Sequence, residues 1–271
     1  MAEIFDELRA ALGIGYVPLE FQAFAATPQF LSVQWQTYRP LFATRKFFEL
    51  AERLQAEAYT QVHNYFKVPR LGDGLTVSQA VPMVDQICRV QAAMLLMLSV
   101  QSQAFDGSVG KAGESHPADR IASSPAPDLV DLDSAPVGVR RVMDEMRHAL
   151  DLPVCSDELR ALAQWPELLF AFWQAIKPTM QSVLHEQAVF RMRESGFTCA
   201  QEIPLSIEME FSRLLDSGVS EDDIATVTRL TELLVRGSAA SLLNSSFAKI
   251  GLEGGNRAET PSEGTPEEKV A

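Results

Sequence analysis

Apolar residues recur at helical spacing along almost the whole chain. In one stretch they occupy positions 41, 42, 48, 50, 51 and 54, and in another positions 224, 227, 230, 233 and 234. These steps of three and four residues are typical of amphipathic helices, and no segment with the alternation of a strand stands out. The pattern predicts helices over residues 3–12, 19–26, 28–60, 76–104, 136–150, 156–164, 166–194, 204–216 and 221–249.

The chain also repeats itself. Phe5–Pro40 aligns without a gap on Met143–Pro178 at a constant offset of 138 (143 minus 5), and 13 of the 36 pairs are identical. This period is longer than the units of stacked repeat arrays, so each copy must be a multi-helix half of one body. We therefore predict an all-α fold of two helical repeats related by a pseudo-twofold axis, with a cleft between them that could bind a small ligand.

The repeat suggests four segments. Residues 1–105 form repeat one, 106–135 a linker, 136–250 repeat two and 251–271 an acidic tail. The linker is predicted to be exposed because it is rich in Gly, Ser, Pro and Ala, and the tail is predicted to be disordered because it holds five glutamates and almost nothing apolar.

Two prolines interrupt the predicted helices at equivalent places. Pro40 and Pro178 lie within the long helix of each half. A proline cannot donate the backbone hydrogen bond of a helix interior. Each long helix should therefore be kinked or broken there.

Composition limits the classes of function. A chain of 271 residues with 46% apolar content can bury a large core. The net charge of −13 argues against nucleic acid or an anionic membrane as partner, since phosphate groups would be repelled. The longest apolar run, Ala92–Leu98, is too short to span a bilayer, and the N-terminus lacks a basic region followed by an apolar one. Together these features predict a soluble cytoplasmic protein, and a homodimer stays an open alternative.

Several kinds of chemistry have no motif in this chain. Cys88, Cys155 and Cys199 are odd in number and widely spaced, which supports neither a disulfide framework nor a zinc site. The four histidines are scattered, and His185-Glu186 lacks a second histidine four residues on. There is no GxGxxG, P-loop or GxSxG motif. We predict no metal and no cofactor.

One difference between the two copies introduces a candidate catalytic group. Copy one reads Val17-Pro18-Leu19-Glu20, whereas copy two reads Cys155-Ser156-Asp157-Glu158. An apolar position has thus become an aspartate. On the residues alone, the favoured interpretation is an ordinary helix start, with Ser156 as the cap and two acids at the positive end of the helix.

The surrounding sequence adds a second interpretation. Cys155–Pro166, with its Ser-Asp pair followed by Ala-Leu-Ala-x-Trp-Pro, resembles the motif of the DehI family, the non-stereospecific 2-haloacid dehalogenases. Leu129–Asp131 before copy two, Trp35 with Thr44-Arg45, and the duplicated helical plan are also similar to that family. The likeness covers most of the chain.

The resemblance implies an activity and a base. Members of the family hydrolyse the bond between the halogen and the α-carbon of a short 2-haloalkanoic acid. Water is the nucleophile, and the configuration at the α-carbon is inverted. Asp157 matches the catalytic aspartate and would be the general base. Ser156 would help to shape the pocket, and backbone amides at a helix start would bind the substrate carboxylate.

Copy one departs from the family in several places. Thr44 matches a pocket threonine, but Phe48 stands where an acid is expected and Leu19 where a tryptophan is expected. The family's asparagine is missing, and Gln91 is the nearest polar substitute. The expected tyrosine from the second half is also missing, since no tyrosine follows Tyr65.

Two hypotheses fit this pattern. The first is a hydrolase with a remodelled, more apolar pocket lined by Leu19 and Phe48. The second is a non-enzymatic relative whose cleft binds a small acid or a partner helix, with Asp157 kept as a helix cap. Trp35 and Trp173 occupy equivalent positions, so we expect both to pack in the core of their own halves.

Overall fold

A computed structural model describes residues 1–113, 116–118, 127–149 and 155–256. Within these ranges the fold is all-helical, and only two isolated β-bridges occur. The helices are α1 (Ala2–Leu12), α2 (Leu19–Phe24), α3 (Pro28–Phe42), α4 (Arg45–Tyr65), α5 (Gly74–Asp106), α6 (Val137–Ala149), α7 (Asp157–Leu162), α8 (Pro166–Met180), α9 (Val183–Ala200), α10 (Phe211–Asp216) and α11 (Glu221–Leu252).

Two long helices, α5 and α11, pack against each other in the centre of the molecule. Residues 90–101 of α5 and 237–248 of α11 are buried on every side, which is the pattern of helices enclosed by other helices. The segment Thr76–Asp106 is long and apolar enough to cross a membrane, but 89% of its most apolar window is buried inside the protein. This segment is therefore a core helix of the fold.

The bounds of the shorter helices follow the offset found in the sequence. Helices α2 and α7 have six residues each, α3 and α8 have 15 each, and the two members of each pair begin 138 residues apart.

The two equivalent tryptophans also have equivalent partners. The Trp35 indole donates a hydrogen bond to Glu7 at 2.6 Å, and the Trp173 indole donates one to Glu145 at 3.0 Å. Both tryptophans are at least 95% buried, which confirms their prediction as core residues.

The prediction of broken helices at the two prolines is confirmed. α3 ends at Phe42, two residues after Pro40, and α8 ends two residues after Pro178. The chain then begins a new helix with a hydroxyl cap: the Thr44 hydroxyl accepts a hydrogen bond from a backbone amide of α4, and the Ser182 hydroxyl does the same for α9.

Other predicted boundaries differ from the structure. The helix predicted over residues 204–216 contains only Phe211–Asp216, because the chain before it is extended and Ile207 exchanges two backbone hydrogen bonds with Val109, at 2.9 and 3.0 Å. Val109 is fully buried, so this part of the predicted linker is not exposed. Residues 251 and 252, assigned to the tail, are helical and buried. The Ser- and Pro-rich residues 119–126 and the tail residues 257–271 lie outside the described residues.

Candidate active site

The candidate base lies where the two copies meet. Asp157 is the first residue of α7 and is fully buried. One of its carboxylate oxygens, Oδ2, accepts a hydrogen bond of 3.1 Å from the backbone amide of Leu19, the first residue of α2. These residues are equivalent under the offset of 138. The aspartate of copy two therefore caps the helix of copy one and leaves its own helix uncapped.

Two more carboxylates are buried beside Asp157. Glu20 and Glu158, a second equivalent pair, are each about 3% exposed. Ser238 of α11 donates to Glu20 at 2.8 Å. The hydroxyls of Ser156 and Ser241 lie near the Glu158 carboxylate and partly offset the rise of its pKa. Neither hydroxyl makes a hydrogen bond of normal geometry to that carboxylate.

Burial holds protons on this cluster. Desolvation, followed by the charge of Glu20, raises the pKa of Asp157 from 3.8 to about 8, while the Leu19 amide and Arg160 lower it in part. Desolvation also raises the pKa of Glu158 from 4.5 to about 7, and it raises the pKa of Glu20. A buried acid disfavours its charged form, and neighbouring acids add to that cost.

The second oxygen of Asp157 is buried near a cation. Oδ1 has no hydrogen-bond partner in the described part of the chain. Its nearest cation is the Arg160 guanidinium, whose Nη1 is 3.6 Å away. For Oδ1 to accept a proton, or a hydrogen bond from water, no existing hydrogen bond to a described residue would have to break.

Tyr16 is a fourth member of the cluster. Its ring is 7% exposed, and its hydroxyl has no partner among the described residues. Burial, followed by the charges of Asp157, Glu20 and Glu158, raises the pKa of the Tyr16 phenol well above its usual value. The phenol therefore keeps its proton and is a potential hydrogen-bond donor inside the cluster.

The other predicted site residues have different environments. Ser156 precedes α7 and is buried, but its hydroxyl does not cap the helix and has no hydrogen-bond partner. Its predicted capping role is therefore wrong. The Thr44 hydroxyl is already used, because it donates to the Leu41 carbonyl at 2.8 Å and accepts from the Phe47 amide at 3.3 Å.

The cleft that Phe48 lines does not include Leu19 or Gln91. Leu19 contacts Asp157 through its backbone amide. Phe48 lines a cleft of about 330 Å³ between α4, α5 and the end of α1, and neither Leu19, Gln91 nor Asp157 lines that cleft. Gln91 is buried on α5, and its side-chain oxygen has no hydrogen-bond partner.

Sequence reasoning missed Glu20, Glu158, Tyr16 and Arg160. One signal could have found the glutamates, since they are an identical acidic pair at the offset of 138 beside the position that differs. No local pattern identifies Tyr16, because two of the three acids that raise its pKa, Asp157 and Glu158, come from the second copy. Among the residues that the structure describes, no group of three or more His, Cys, Asp and Glu is arranged to hold a metal ion.

Comparison with known proteins gives the class to which this all-helical chain belongs. Residues 15–159, more than half of the chain, match the family described as "Halocarboxylic acid dehydrogenase DehI". The chain belongs to the DehI family.

Curated relatives cover most of the chain. An (R)-2-haloacid dehalogenase from Pseudomonas putida is 22% identical over 255 residues, which are 88% of this chain and 85% of the relative. An (R)-2-haloacid dehalogenase from Rhizobium sp. (strain NHG3) is 18% identical over 212 residues, or 74% of this chain and 82% of the relative.

Solved structures show the same fold. A D-2-haloacid dehalogenase in complex with L-LA superposes with a TM-score of 0.87 at 19% identity, covering 93% of this chain and 91% of the other. A mutant D-2-haloacid dehalogenase in complex with D-2-CPA has the same TM-score, identity and coverage.

Proposed function

We propose that this protein is a 2-haloacid dehalogenase that uses water directly, with Asp157 as the general base. The observation that carries the proposal is the buried Asp157 carboxylate, which has one oxygen without a hydrogen-bond partner and a pKa raised to about 8. A general base works best when its pKa lies near the working pH. The relatives named as haloacid dehalogenases supply the substrate class.

The reaction needs one displacement. Asp157 accepts a proton from water while the water oxygen bonds to the α-carbon of the acid on the face opposite the halogen. The carbon–halogen bond breaks, and its electron pair leaves with the halide. The product is a 2-hydroxy acid of inverted configuration, and no ester forms on the enzyme.

The neighbouring acids affect whether an anionic substrate can approach. Three ionised carboxylates at this site would repel a haloacid anion. The raised pKa values of Glu20 and Glu158 favour their neutral forms, which reduces that repulsion. Arg160, at 3.6 Å from Asp157, is a cation within the same site.

One observation favours a second candidate, a non-enzymatic relative that binds a small acid. Asp157 accepts the Leu19 amide across the two copies, and such a bond stabilises a helix start whether or not any reaction occurs. Under this alternative Asp157 serves only to join α2 to α7.

Halide release separates the two candidates. Wild type and Asp157→Asn should be assayed with D- and L-2-chloro- and 2-bromoalkanoic acids. The asparagine oxygen can still accept the Leu19 amide, so the variant keeps the helix contact and loses only the base. Halide release by wild type that disappears in the variant supports the hydrolase. No release from any acid would reject the hydrolase and support the non-enzymatic protein that binds a small acid.

Stereochemistry and mechanism can be read from the same reaction. The family resemblance implies action on both enantiomers, whereas the curated relatives are named for the (R)-acids. We propose that D-acids react at least as fast as L-acids. In water labelled with heavy oxygen, the label should enter the product in the first turnover, and label in the Asp157 side chain would mean a covalent route.

A further inference from the structure

Two buried serines of α11 lie beside acids from both copies. Ser238 and Ser241 are three residues apart in the part of α11 that is buried on every side, so their side chains lie on the same face of the helix. Ser238 donates a hydrogen bond of 2.8 Å to Glu20, and Ser241 lies near the Glu158 carboxylate. One turn of α11 therefore adjoins an acid of each copy.

These two acids are next in sequence to the two residues whose hydrogen bond joins the copies. Glu20 follows Leu19, whose amide donates to Oδ2 of Asp157 at 3.1 Å, and Glu158 follows Asp157. The side chain that Ser238 binds therefore belongs to the residue directly after the donor of the Leu19–Asp157 bond. A restraint on that side chain is a restraint on the first turn of α2.

Helix α2 depends on tertiary contacts for its position. It has six residues, and its N-cap, Pro18, makes no side-chain hydrogen bond to it. A helix of this length is not stable by itself, so packing must hold it. Phe21 and Phe24 bury it in the core, but apolar contacts have no preferred direction. The hydrogen bond from Ser238 is directional, so it can fix how the first turn is oriented.

Stability does not account for the buried side chain of Glu20. Its second oxygen, Oε2, has no hydrogen-bond partner in the described part of the chain. A buried acid with incomplete hydrogen bonding costs free energy, and an apolar residue of similar size often costs less. The bonded oxygen, Oε1, is the acceptor of Ser238. What Glu20 supplies at this position is therefore the link to α11.

We propose that Ser238 is a positioning residue of the candidate active site. By binding Glu20 it holds the first turn of α2, so that the Leu19 amide stays on Oδ2 of Asp157. With Oδ2 held, the carboxylate does not rotate freely, and Oδ1 keeps one orientation toward the reacting water. The effect on catalysis rests on the proposed function, whereas the effect on the Leu19 amide does not.

Hydrogen exchange of the Leu19 amide, followed by NMR, tests this role without any turnover. Leu19 is the first residue of α2, so its amide has no acceptor within the helix, and its bond to Asp157 protects it. Ser238→Ala should raise its exchange rate about tenfold, the effect of losing one hydrogen bond. Ser246→Ala is the matched control and should leave the rate nearly unchanged, because Ser246 is buried on the same helix but donates to the Leu242 carbonyl.

Two replacements of Glu20 separate its position from its charge. Glu20→Gln keeps an oxygen that can accept from Ser238, so the exchange rate of the Leu19 amide should stay close to that of wild type. Glu20→Ala removes the acceptor and should raise the rate as much as Ser238→Ala does. The double variant Glu20→Ala with Ser238→Ala should exchange no faster than either single variant, since both changes remove the same bond.

Halide release gives the second readout. Ser238→Ala should lower kcat roughly tenfold and leave KM nearly unchanged, because the orientation of the base matters in the displacement and not in substrate binding. Ser246→Ala should change neither constant.

The outcomes separate this role from the proposed function. An unchanged exchange rate of the Leu19 amide in Ser238→Ala would overturn the positioning role, whether or not wild type releases halide. An equal increase in Ser246→Ala would also overturn it, because any buried serine of α11 would then have the same effect. Faster exchange in Ser238→Ala alone, without halide release by wild type, would support the contact and reject the hydrolase.

Discussion

Replacing Asp157 by asparagine should change how stability depends on pH. The folded pKa of about 8 lies above the ordinary value of 3.8, so the folded protein binds a proton at pH values where the unfolded chain has lost it. The free energy of unfolding therefore falls as pH rises from about 4 to about 8. Asp157→Asn removes the Asp157 contribution to this slope, because the amide does not titrate, and leaves the contributions of Glu20 and Glu158, whose pKa values are also raised.

The structure sets the size of the effect. The pKa difference is about 4 (about 8 minus 3.8), and each pKa unit corresponds to about 1.4 kcal/mol. The upper bound at pH 9 is therefore roughly 6 kcal/mol. Water entry on ionisation reduces the cost of a buried charge, so we expect Asp157→Asn to be more stable than wild type by about 2 to 4 kcal/mol at pH 9 and nearly equal to it at pH 4.

Urea denaturation followed by circular dichroism at half-unit steps from pH 4 to pH 9 measures this difference. Asp133→Asn is the control, since Asp133 is exposed and should leave the wild-type curve unchanged. If Asp157→Asn shows the same pH slope as wild type, the aspartate is not held in a desolvated site, and its pKa is not raised.

Three further results are expected. The kcat/KM for halide release should rise with pH until about 8, where Asp157 ionises. Glu20→Gln should move this rise to lower pH, because it removes an acid whose ionised form raises the Asp157 pKa; an unmoved profile would mean that the two groups do not interact. Phe172→Ala should lower the free energy of unfolding by about 3 to 5 kcal/mol, because Phe172 is fully buried. Phe170 is 37% exposed, so Phe170→Ala is the control and should lower that free energy much less in the same urea titration. Gly196→Ala should cost about 1 to 3 kcal/mol, since the added methyl would lie 2.5 Å from a serine hydroxyl of α5; an unchanged melting temperature would mean that the two helices separate easily.

The sequence alone was sufficient to predict most of the helices and the repeat. Helical periodicity is a local property, and it predicted the class of fold and the approximate bounds of α5 and α11. The offset of 138, visible in the sequence alone, pairs α2 with α7 and α3 with α8. Pro40 and Pro178 predicted the helix breaks because the loss of a backbone donor acts within one turn.

The single aspartate that differs between the copies also marked the candidate site. Asp157 stood out because Leu19 occupies the equivalent position in copy one. Whether Asp157 caps its own helix could not be read from the residues, since the same Ser-Asp-Glu pattern fits a cap and a base. Only the tertiary structure shows that it accepts the amide of α2.

Burial and partnership were decided by the tertiary structure. Glu20 and Glu158 look like surface acids at helix starts, yet both are buried against α11, and this burial raises their pKa values. The pairing of Ile207 with Val109, which replaced a predicted helix, also joins segments far apart in the chain. Local patterns determined the elements, whereas desolvation and contacts between distant residues depend on how those elements pack, and packing determined the chemistry of the site.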